Sequence, residues 1–60
     1  MNQPELKQSL ARATHLLLGF QADNLELEEQ GASQERRAQL RVKIEEIRAQ
    51  QRKLTQFFFN

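Results

Sequence analysis

Sixty residues, 38% of them hydrophobic and none of them cysteine, make at most one domain, too small to hide a large core and without disulfides to reinforce it. His15 is the only histidine and the formal net charge is only +1, so a zinc site and a strongly basic nucleic-acid surface are both disfavoured. No apolar run approaches the roughly 20 residues that span a bilayer, and Met1-Asn2-Gln3-Pro4-Glu5 lacks the basic lead of a secretion signal; a cytoplasmic protein with no membrane contact, metal or cofactor is expected, stabilised by a second chain.

In chain order, Asn2 suits a helix N-cap, Pro4 is tolerated in the first turn, and Glu5 sits where a capping carboxylate reaches back. A first helix over about residues 3–30 follows, interrupted only by Gly19, which costs about 1 kcal/mol against alanine and does not break a helix. Its centre is the densest apolar run in the chain, Leu16-Leu17-Leu18-Gly19-Phe20. Gly31 suits the left-handed position after a helix end, and Ser33 is a good N-cap for a second helix, free of Gly and Pro, over about residues 34–58. One all-α hairpin domain over residues 1–60, with a turn at 31–33, is therefore expected.

The apolar spacing predicts how the helices meet. Leu6, Leu10, Ala13, Leu17, Phe20, Asn24 and Leu27 alternate steps of four and three, as do Arg37, Leu40, Ile44, Ile47, Gln51, Leu54 and Phe58. Folding the chain about Ala32 pairs Leu27 with Arg37, Phe20 with Ile44, Leu17 with Ile47, Leu10 with Leu54 and Leu6 with Phe58, and each pair of residue numbers sums to 64. Two mirrored seams predict an antiparallel hairpin.

Charge divides the same way. Residues 1–31 hold Lys7 and Arg12 against Glu5, Asp23, Glu26, Glu28 and Glu29, a net of −3, so the second half carries +4. Acids at the end of the first helix and Arg36 and Arg37 at the start of the second each oppose their own helix dipole. The hairpin brings them together, with Glu28 facing Arg36 and Asp23 facing Arg41.

The second helix has a narrow apolar stripe, whereas the first is apolar over roughly 220°, far more than the ~100° one neighbour covers. Leu16 falls on one side of the expected seam, and Leu18 and Leu25 on the other. These three, with Phe57 and Phe59 at the C-terminus, are the predicted interface with a second copy or another protein. A homodimer in the form of an antiparallel four-helix bundle is the expected assembly.

Catalysis finds no nucleophile, base or phosphate loop to use, and His15 reads as a surface residue. Arg37, Arg41, Arg48 and Arg52 line one flank of the second helix. That arrangement resembles, in architecture and without any shared sequence motif, the helical-hairpin dimers of the plasmid Rop type, which would imply contact with nucleic-acid phosphates. The reading with most support is a non-enzymatic regulator or adaptor, in the style of small bacterial, plasmid or bacteriophage proteins, that occludes a partner protein by helix contact. Nucleic-acid binding and a secretion co-chaperone are the alternatives.

Overall fold

The computed structural model describes residues 3–57, so the roles expected of Asn2, Phe58 and Phe59 fall outside the described residues. Within them the chain forms two helices, α1 (Gln3–Gln30) and α2 (Gln34–Thr55), packed against each other in a rod with extents of 48 × 14 × 12 Å. There is no strand among the described residues.

The turn is made by local hydrogen bonding. Ser33, at φ −64° and ψ 163°, accepts from the Arg36 amide on its hydroxyl and so caps α2, while its carbonyl takes the Arg37 amide at 2.8 Å. Gly31 does not adopt the left-handed conformation expected of it, since no glycine has positive φ. α1 instead ends by tightening, with the amides of Gly31 and Ala32 donating to the carbonyls of Glu28 and Glu29, both at 3.2 Å. The end of α2 also differs from expectation. It stops at Thr55, whose hydroxyl turns back onto the Arg52 carbonyl at 2.6 Å, and the phenylalanines that follow are only middling helix formers.

The inner face of α2 is the expected stripe: Leu40 is 1% exposed, Gln51 is buried, and Ile44, Ile47 and Leu54 are partly buried. The inner face of α1 is not. Ala11 and Ala22 are buried, with His15, Leu18, Gly19 and Leu25 partly so, whereas Leu6, Leu10, Leu17, Phe20 and Leu27, expected in the seam, are 48–65% exposed. α1 is rotated by about 150° from the expected orientation, at 100° per residue. Leu18 and Leu25, expected at an outer interface, face α2 instead, and His15 lies beside the seam rather than on the polar surface.

Two physical effects favour this face. Small residues let the helices approach closely: a Cβ added at Gly19 would lie 3.0 Å from the Gln51 amide nitrogen, which reaches past it to donate to the His15 carbonyl at 3.0 Å. The same rotation turns Glu26 and Glu29 towards α2, within reach of its arginines; the expected seam would have pointed both away.

Because Leu40 is the one large side chain wholly out of water among the described residues, Leu40→Ala is expected to cost about 2–5 kcal/mol, enough to abolish the cooperative urea transition followed by circular dichroism. Gly31 lacks positive φ and has open space around its Cα, so Gly31→Ala is expected to stabilise by about 0.4–1 kcal/mol; a loss of similar size would show that the turn needs glycine after all.

Candidate interaction surfaces

Three surfaces can be built from this geometry. The largest is the outer face of α1, where Leu6, Leu10, Leu17, Phe20 and Leu27 stand in water with Leu16 beside them, 58% exposed. The positions between them on this face are Ser9, Ala13, Gln21 and Asn24, so from Leu6 to Leu27 it holds no charged residue. It extends for about 32 Å at 1.5 Å per residue. The outer face of α2 is polar apart from Val42, 61% exposed. α1 is therefore apolar on two opposed sides and α2 on one.

The second surface is the arginine flank of α2, and most of it is engaged with α1. Arg36 meets Glu28 at 3.1 Å, Arg37 donates to the Glu29 carbonyl at 3.2 Å, and Arg41 meets the Glu29 carboxylate at 2.8 Å. Arg48 spans Glu26 at 2.9 Å and Asp23 at 3.2 Å while its other terminal nitrogen donates to the Gln51 side-chain oxygen at 3.1 Å. Arg52 pairs within its own helix, with Glu45 at 2.9 Å. The Glu28–Arg36 pairing is the expected one, but Asp23 pairs with Arg48 rather than Arg41, while Arg41 is taken by Glu29.

Hydrogen bonds from Arg48 to Glu26 and then to Asp23 raise its guanidinium pKa above the ordinary value. A raised basic pKa contributes stability at every pH below the unfolded value and loses it only as pH rises through the folded one. Arg48 therefore stays charged at any ordinary pH.

The third surface is the open end. Phe57 is 41% exposed and lines an open groove of about 460 Å³ together with Lys7, Leu10, Ala11, Thr14 and Leu54. On the other side of the same ring lie Pro4 and Gln8. Leu18 lines a neighbouring groove with Leu54, and Leu25 one with Ile47. No three carboxylate or imidazole side chains converge as a metal site among the described residues, and no described helix is long and apolar enough to cross a membrane.

Two features do not follow from apolar spacing: the alanine face that meets α2, and the use of Gln51 as a backbone ligand. Glu26 and Glu29 are the available signal, since the expected seam points both away from α2 and the observed face turns both towards its arginines.

If the flank is structural, Arg48→Gln should lower the urea midpoint at low ionic strength and much less at 1 M salt, with Arg52→Gln nearly silent in both; equal, salt-independent effects would remove the interhelical role assigned to Arg48.

Comparison with protein-family models, with curated proteins and with solved structures gives no match to this chain.

Proposed function

We propose that this chain is a non-enzymatic regulator or adaptor that works by helix-on-helix contact: a helix of another polypeptide covers the outer face of α1. In the resting form that polypeptide is a second copy, which places four helices together with the two α1 helices central. In the working form it is a target protein, whose surface the hairpin occludes.

The observation that carries this reading is the direction in which α1 points its large side chains. Ala11, Gly19 and Ala22 go inward with only Leu18 and Leu25 of the leucines beside them, and Leu6, Leu10, Leu16, Leu17, Phe20 and Leu27 go outward. Fully burying a leucine or phenylalanine contributes about 1.5–3 kcal/mol, whereas exposed ion pairs of the kind gained inside contribute little. For a solitary hairpin the opposite orientation would be the better one. The orientation makes sense when something covers the outer face.

Exposed area supports the same reading. The chain leaves 4829 Å² in water, against about 4,100 Å² for a compact monomer of its mass. An uncharged apolar band of this size is of the kind that marks an interface. The arginine flank supports contact with protein rather than phosphate, because Arg37, Arg41 and Arg48 are already turned to carbonyl and carboxylate oxygens of α1.

A photoreactive phenylalanine analogue at position 20, expressed in the native host, tests this. Irradiation is expected to give protein adducts at several times the yield of the same analogue at the exposed position 42. Equal yields at the two positions, or adducts to RNA in place of protein, would overturn the reading.

A further inference from the structure

We infer that the outer face of α1 pairs with the same face of a second copy in one antiparallel register, with a two-fold axis passing between positions 18 and 19. This inference rests on the reading of that face as the working surface and specifies its resting occupant.

The register follows from volume. Leu6, Leu10, Ala13, Leu17, Phe20, Asn24 and Leu27 form a four-three repeat on exposed positions, and antiparallel helices pair such repeats in layers about the axis. In this register Leu10 meets Leu27 of the second copy, Leu17 meets Phe20 of the second copy, and Ala13 meets Asn24 of the second copy. The large side chains thus share layers, and the one polar amide falls opposite the smallest side chain. There it has room to bend towards water. A parallel pair would instead set Ala13 on Ala13 and Phe20 on Phe20, hollow at one layer and overfilled two layers on, which close-packed interiors resist. Sliding the antiparallel pair by one heptad sets Leu6 against Asn24 and Ala13 against Leu17 of the second copy, so the polar amide no longer meets the smallest side chain.

Charge selects the same orientation. Lys7 and Glu28 lie along one edge of the face, and the antiparallel register brings Lys7 of one chain beside Glu28 of the other. Glu28 already holds Arg36 at 3.1 Å, so the approaching ammonium completes a basic–acidic–basic cluster at each end. In the parallel arrangement Asp23 faces Glu28 of the second copy, a like-charge contact that specific helix pairing avoids. No charge within the band opposes either closure.

The area suffices. Six half-exposed large side chains, each with on the order of 100 Å² to bury, give on the order of 1,200 Å² for the pair, which reaches the range of specific interfaces. Because the outer face of α1 lies about 150° from its inner face at 100° per residue, the four helices form a nearly flat row with α2 on each outside edge, not a square bundle.

The chain has no cysteine, so single cysteines report the register directly. Ala13→Cys and Asn24→Cys are prepared separately, then mixed and treated with a short bis-maleimide. Residues 13 and 24 of opposite chains share a layer, while two copies of either variant hold their cysteines about 17 Å apart along the axis at 1.5 Å per residue. The mixture is expected to give at least ten times the covalent dimer of either variant alone. Variants that link to themselves would mean a parallel pair, and no linkage in any combination would mean another face; either overturns the inference.

Light scattering on the unmodified chain guards against variants that fail to assemble. Twice the 7.1 kDa chain mass at tens of micromolar is expected, and a monomer overturns the inference. A monomer whose position-20 analogue still links to a different protein in cells removes the second copy as occupant and leaves the functional reading standing. A chain that is monomeric and also forms no adducts removes both.

Discussion

The hydrogen bond from the Gln51 amide to the His15 carbonyl, 3.0 Å long, sets how closely the two helices run. It is a buried polar contact in a seam that otherwise offers alanine and a few aliphatic side chains, so leaving it unmade would leave a desolvated amide without a partner. Gly19 leaves it room, because an added Cβ would lie only 3.0 Å from the amide nitrogen. Arg48 holds the oxygen of the same amide, so one glutamine ties the α1 backbone to the arginine that carries the ion pairs. Shape and charge are joined at a single residue.

Charge near the turn shows tertiary contact overruling local preference. α1 has no basic residue in its last turn, and Arg36 and Arg37 stand in the first turn of α2, where the helix dipole prefers acids. Both choices are unfavourable in an isolated helix and are compensated across the hairpin, where Glu28 and Glu29 receive those same arginines and Arg41. The arrangement fixes which helix faces which more than it adds to stability.

The hairpin, its turn and the apolar stripe of α2 are legible in the sequence because each rests on a local rule: a serine before a helix, a three-residue break, one narrow four-three repeat. The facing side of α1 is not. α1 holds two such repeats, one through Leu6, Leu10, Leu17, Phe20 and Leu27 and another through Ala11, His15, Leu18, Ala22, Leu25 and Glu29. Counting apolar volume selects the first, whereas close approach and the position of the acids select the second. Leu18 and Leu25 accordingly exchange places with the leucines expected inside. Hydrophobic periodicity identifies a contact face without saying which neighbour it meets, and when a helix has two, the choice passes to packing distance and charge.

The bonding at the turn also orders events in time. Ser33, the tightened end of α1 and the Glu28–Arg36 pair lie within a few residues of one another in sequence, so closing them loses little chain entropy, whereas the partners at the far end are distant in sequence. The acids that end α1 and the Arg36 and Arg37 that open α2 beside Glu35 are matched only when the helices meet, so turn closure favours helix growth there. Zipping outward from the turn is the expected order, with the segment around Lys7, Leu10 and Phe57 expected to fray first. That fraying end adjoins the N-terminal part of the leucine band, so the surface most available for a newcomer sits next to the part of the molecule that opens most readily.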